Sequence, residues 1–127
     1  VSLTHYASDM LGRALCARAP LLPTTVYAAL GTGGNPVDGL IGEPVSCPGY
    51  ARQLVVFTGS GELRSEGPLQ FIFNAAAGTL THAGLFDAAT GGNALMWVEL
   101  MQPALVSGSG TVTIAGRAFS VSVEGAA

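Results

Sequence analysis

Few side chains in this chain are equipped for chemistry, and none stands at a spacing that gives it a chemical partner. The two histidines are His5 and His82. A general base needs the proton it abstracts, and usually an orienting group, within hydrogen-bond reach. Neither histidine has a carboxylate, Ser or Cys at a spacing that assigns such a role. His82 shares a strand face with Leu80 and Gly84, so it reads as a packing residue. Cys16 and Cys47 form no C-x-x-C and have no His at metal-ligand spacing. They read as small, reduced, buried residues, with a disulfide as the alternative. Asp38 with Glu43, or Glu62 with Glu66, offer acidic pairs, but without the acidic density of a calcium loop. Gly31-Thr32-Gly33-Gly34 is followed by no GK[ST] and opens no helix, so it does not read as a phosphate loop. Gly59-Ser60-Gly61 and Ser107-Gly108-Ser109-Gly110 lack the strand-to-helix setting of a nucleophile elbow. The expectation is a protein that is not an enzyme, with no catalytic, cofactor or metal residues.

The elements around these residues point to packing. Thr79 to Leu100, TLTHAGLFDAATGGNALMWVEL, reads as strand, turn, strand. Asp87 to Asn93 supplies the Asp, Gly and Asn that tolerate turn dihedrals. At the N-terminus Leu3, Tyr6, Ala7, Met10, Leu11, Ala14 and Leu15 recur at helical period. They predict an amphipathic helix over residues 3–16, capped by Ser2 or Thr4 and carrying an Asp9–Arg13 pair one turn apart. Pro20 and Pro23 end it. Beyond Pro23 the pattern is strand: 24–30, 52–57, 69–74, 79–86, 94–100, 110–115 and 117–123, with a short edge piece over 103–106. In 69–74, Leu69, Phe71 and Phe73 share a face. In the last strand Phe119, Val121 and Val123 do. Thr58 to Pro68 reads as a polar loop. The predicted fold is a single domain over 1–127, mainly β. It is an antiparallel, jelly-roll-like β-sandwich over 24–123 with one N-terminal helix over 1–20. A long Gly/Pro-rich loop at 31–50 carries Val37, Leu40 and Ile41 as apolar anchors.

Composition bounds the partners. Of 127 residues, 49% are hydrophobic and only 10% charged, with no Lys and a net charge of −3. A free domain normally carries about 25% charged residues. The shortage points to a surface covered by other proteins. Five scattered arginines make no basic stripe, so no nucleic acid is expected. Apolar runs stop well short of about 18 residues, so no membrane span is expected. The start VSLTHYASDM lacks the basic and apolar blocks of a signal peptide.

Four segments together resemble a family of small structural proteins of tailed bacteriophages, described both as capsid cement or decoration proteins and as tail-fibre-like proteins. They are PTTVYAALGTG (Pro23 to Gly33), GYAR (Gly49 to Arg52), THAGLFDAATGGNAL (Thr81 to Leu95) and the segment Val106 to Val123. The last departs from the family pattern. Ser107-Gly108-Ser109-Gly110-Thr111 stands where an SGDT is usual, so the acidic residue is missing. The resemblance implies a jelly-roll-like domain on the capsid exterior of a virion, made in the host cytoplasm and forming a homodimer. Its implied role is to bridge major capsid protein subunits. The contact surfaces expected are the helix, with Tyr6 and Arg13, and the 31–50 loop, with Val37, Leu40 and Ile41. Two other readings stay open. One is a tail, baseplate or tail-fibre-associated component. The other is a carbohydrate-binding β-sandwich, for which exposed aromatics are scarce. The absence of a repeat, heptad or shaft favours the capsid reading.

Overall fold

A computed structural model describes residues 2–19, 22–60, 62–116 and 119–122. The chain runs β1 (Ser2–Leu3), α1 (His5–Leu15), β2 (Val26–Gly31), β3 (Gly33–Asn35), β4 (Gly39–Ile41), β5 (Gln53–Val55), β6 (Phe57–Ser60), β7 (Glu62–Ser65), β8 (Leu69–Phe73), β9 (Gly78–Phe86), β10 (Ala94–Val106), β11 (Gly110–Ile114) and β12 (Ser120–Ser122). The fold is mainly β, as the alternation of apolar and polar residues predicts, and every paired strand is antiparallel. The largest sheet has the order β1-β10-β9-β2-β5. β8 pairs with β11, and β12-β7-β6 make a third sheet. This arrangement is compatible with a jelly roll.

The predicted central hairpin is the spine of the large sheet. β9 lies between β10 and β2, with Trp97 opposite Gly84 and Tyr27 opposite Phe86. Its turn is closed by Asp87. The Asp87 carboxylate accepts from the Asn93 backbone N–H at 2.7 Å and from the Asn93 side-chain amide at 3.0 Å. β8 alternates as the sequence predicts. Leu69, Phe71 and Phe73 are buried and Gln70 and Ile72 exposed. The inward side chains join Leu30, Val55, Leu80 and Leu85 of the large sheet in one core, together with Phe119. Burying each such side chain contributes about 1.5–3 kcal/mol. Tyr50 stacks on Phe73 with ring centroids 5.6 Å apart, and Phe57 meets Phe119 edge-on at 5.9 Å.

The structure departs from the sequence reading in several places. The 31–50 segment is not one open loop, because β3 and β4 form a hairpin within it. Asn35 makes the turn: its side-chain oxygen accepts from the backbone N–H of Val37 and of Asp38. The hairpin lies so close to the sheet that a Cβ at Gly34 would collide with the Trp97 ring, and one at Gly39 (φ 75°) with Ala94. The polar segment after Thr58 is also a hairpin, β6–β7. The 103–106 edge piece is the end of β10, beyond a register shift between Glu99 and Ala104. Pro103, lacking an N–H, falls in that irregular stretch.

The helix is shorter than predicted. Leu3 pairs with Met96 in β1 instead of starting the helix. Thr4 is the N-cap, and its hydroxyl accepts from the Ala7 N–H. The predicted stripe is buried only at Ala7, while Met10 packs at the core margin. Leu15 is 87% exposed because the second half of the helix carries no sheet beneath it. The cysteines are unpaired, and Cys16 is exposed, not buried. Pro20 and the Arg117, Ala118 and Val123 portion of the last predicted strand lie outside the described residues.

Candidate functional site

The densest polar arrangement gathers around Arg52, on the segment that leads into β5. Its guanidinium donates to Glu43 side-on, from Nε to Oε2 at 2.8 Å and from Nη2 to Oε1 at 2.9 Å. Nη1 donates to the carbonyls of Ala88 at 3.0 Å and Gly91 at 2.9 Å, across the β9–β10 turn. The guanidinium carbon sits 3.7 Å from the centre of the Phe86 ring. The two side chains are only 8% and 11% exposed. Buried ions cost several kcal/mol each to desolvate, so such a pair persists only with well-made hydrogen bonds. Here almost every donor is used, and the aromatic face receives the cation.

Tyr50 completes the cluster. Its hydroxyl donates to Glu43 Oε2 at 2.7 Å and accepts from the Leu30 backbone N–H at 3.2 Å. Burial raises the Tyr50 phenol far above its ordinary value of 10.0, and the hydrogen bond to Glu43 raises it further. The cluster therefore fastens three segments together: the 43–52 stretch, the end of β2 and the turn after β9. Beside it lies a cleft of about 330 Å³ whose walls include Glu43, Arg52, Ala89 and Thr90.

Sequence spacing alone does not bring this cluster together. In the sequence Glu43 stands only as half of an acidic pair with Asp38, and Arg52 as one of five scattered arginines. The GYAR block, which contains Tyr50 and Arg52, is the one local signal. Its partner lies nine residues upstream across a turn, a separation that no helical or strand period encodes.

The start of α1 meets the tip of the β3–β4 hairpin, where the His5 N–H donates to the Pro36 carbonyl at 2.7 Å, so two of the expected contact residues, Tyr6 and Val37, flank that bond. Val37 is exposed at the tip of the β3–β4 hairpin and Ile41 is half exposed on β4. Leu40 points the other way: it is buried against Ala29 and Phe86. It is a core residue, as the alternation of side chains along β4 requires. Tyr6 is partly exposed on α1, and Arg13 is exposed, paired with Asp9 at 2.9 Å. Further apolar side chains stand in solvent, notably Val45, Leu105 and Met101, the last fully exposed in the irregular part of β10.

His82 is half-buried, with Nδ1 2.8 Å from the Thr81 hydroxyl and Nε2 4.0 Å from Glu99. The Thr81 hydroxyl donates to the Thr32 carbonyl at 2.9 Å. Among the described residues there is no group of three or more His, Cys, Asp or Glu able to hold a metal. Among them, too, no helix is long and apolar enough to cross a membrane.

The family model of the podophage GP4 fiber I protein gp80 matches residues 2–122. The chain belongs to that family of phage structural proteins. No curated protein matches it significantly.

Proposed function

We propose that the protein is a non-catalytic, fibre-type component of a podophage virion that docks through apolar surface. The observation that carries this reading is the family match along nearly the whole chain. The surface supports it. A chain with 10% charged residues leaves Leu15, Val37, Val45, Met101 and Leu105 in solvent, on several different elements. Apolar side chains of this kind make up the desolvated core of a protein interface. The exposed surface of α1, with Tyr6 in its first turn and Arg13 in its last, and the hairpin edge with Val37 and Ile41 are the contact regions we assign. A second copy of the chain is the first partner, in a homodimer. Leu40 holds the hairpin down from below.

A second reading is a cement protein that bridges major capsid protein subunits on the shell. The lack of any heptad, repeat or shaft in the sequence favours it. Imaging of intact particles separates the two. Density at the tail or its fibres, in few copies, supports the fibre reading. Density distributed over the shell supports cement, and absence from purified particles would falsify both. Val37→Asp with Ile41→Asp should leave the isolated domain folded and reduce its incorporation into particles. Unchanged incorporation removes the hairpin from the contact surface.

A further inference from the structure

We propose that the cleft beside Arg52 is a binding site for a neutral polyhydroxylated ring, a hexose unit of a glycan. The argument starts from the hydrogen-bond capacity of the ion pair. A guanidinium has five N–H donors. Four of those on Arg52 are committed: one from Nε and one from Nη2 to Glu43, and two from Nη1 to the Ala88 and Gly91 carbonyls. Among the described residues nothing accepts the second Nη2 hydrogen. On Glu43, Oε2 accepts from both Arg52 and Tyr50, whereas among the described residues Oε1 accepts only from Arg52 Nη2. In a side-on fork the outer Nη2 hydrogen and the outer lone pair of Oε1 lie on the same flank. The pair therefore offers one further donor and one further acceptor on one flank, pointing away from each other.

Hydroxyl groups are the complementary partners, because each donates and accepts at once, and two separate hydroxyls of one ring meet the two groups together. Charge selects against other ligands. Arg52 and Glu43 neutralise each other, so neither an anion nor a cation finds net attraction there. Both side chains are fixed by their other bonds and are about nine-tenths buried, so ligand binding orders little that is not already ordered. The remaining walls fit the rest of a sugar ring. Val45, Ala51 and Ala89 offer apolar surface to its C–H face, and the exposed Thr90 supplies a hydroxyl at the rim. The volume of about 330 Å³ lies at the small end of ligand pockets. No exposed aromatic platform is needed for such a site, which is why a count of aromatic residues in the sequence does not reveal it.

The test uses the full chain, labelled with ¹⁵N, and four probes: glucose, galactose, mannose and N-acetylglucosamine. Inorganic phosphate serves as an anionic comparison. At least one sugar should give saturable, millimolar shifts confined to Arg52 Nε–H and the amides of Ala51, Thr90 and Gly91. Phosphate should give none. Ala89→Trp, or Val45→Trp from the opposite wall, should weaken binding at least about tenfold while the thermal melt is retained. Thr90→Val should weaken it less. Absence of saturable shifts with all four sugars, shifts that survive both Trp variants, or a response to phosphate alone overturns the assignment. None of these outcomes depends on where the protein sits in the particle, so this site and the docking role fail separately.

Discussion

Two ion pairs in this molecule have the same chemistry and nearly the same length, yet they do different work. Arg52–Glu43, at 2.8 Å, is buried under the β9–β10 turn, while Arg13–Asp9, at 2.9 Å, lies in solvent on α1. The first has aromatic, carbonyl and phenol partners on every side. The second has only the helix beneath it. Solvent screens the exposed pair and its side chains give up rotamer freedom to make it, so the net gain is small. The buried pair is desolvated already, so removing one partner leaves a charge with no compensation. The difference divides the protein into a pinned half around the central hairpin and a lightly held helical end. In the helical end, Thr4 is the fastening. Its buried hydroxyl lies 2.7 Å from the Ala94 carbonyl and 3.1 Å from that of Leu95.

Arg52→Ala should produce the largest effect. It leaves the Glu43 carboxylate buried beside Tyr50 and unties the turn carbonyls of Ala88 and Gly91. The expected loss is about 3–5 kcal/mol, read from the urea midpoint. The double variant Arg52→Met with Glu43→Leu should recover much of it, since no charge is then stranded. A single variant as stable as the parent would place Glu43 in water and erase the contrast with Arg13.

Tyr50→Phe comes next, at about 1–3 kcal/mol, because the Leu30 N–H loses its acceptor inside the core. This variant also changes the pH profile. The folded state holds the phenol proton more tightly than the unfolded chain does. Stability from this source is therefore complete below pH 10.0 and falls as pH rises above it. The chain has no Lys to titrate in that range, and comparison with the Phe variant separates this phenol from the other two tyrosines. Urea midpoints between neutral and alkaline pH should converge for parent and variant as pH rises. Parallel curves would show that the phenol is not protected.

Thr4→Ala tests the fastening of the other half. N-cap removal costs about 0.5–2 kcal/mol. The loss should appear as faster amide exchange along α1, with the protection of β9 retained. Equal loosening of both would mean that helix and sheet form one cooperative unit.

Legibility follows the same division. Strict alternation in Leu69–Phe73 and the turn chemistry of Asp87–Asn93 are local, and both elements stand where the sequence places them. The helical stripe is also local, but periodicity records which residues share a face and not what lies opposite. Leu15 is on the predicted face with no sheet facing it. Leu40 shows the converse. Its flanking glycines and prolines read as an open loop, while the hairpin fold turns it inward onto Phe86. The Arg52 cluster joins residues 43, 50, 52, 86, 88 and 91, whose meeting depends on strand order. Strand order is a property of the whole sheet and leaves no mark in any one window.

Arg13→Ala is expected to have the smallest effect and gives the comparison its lower bound. An i,i+4 pair on an isolated helix contributes about 0.2–0.5 kcal/mol, and Arg13 in the last turn adds a small favourable interaction with the helix dipole. Both terms weaken with salt. The urea midpoint should therefore shift barely at low ionic strength and not at all in molar salt, whereas the loss from Arg52→Ala should persist in both. Arg13 and Tyr6 belong to the surface we assign to docking, so the same variant reads a second quantity. If a second copy covers the exposed surface of α1, Arg13→Ala should weaken self-association more than it weakens folding, as measured by sedimentation at matched concentrations. A variant that is neutral in folding and in association alike would leave the helical end as solvent-facing surface and confine the contacts to the β3–β4 hairpin and β10.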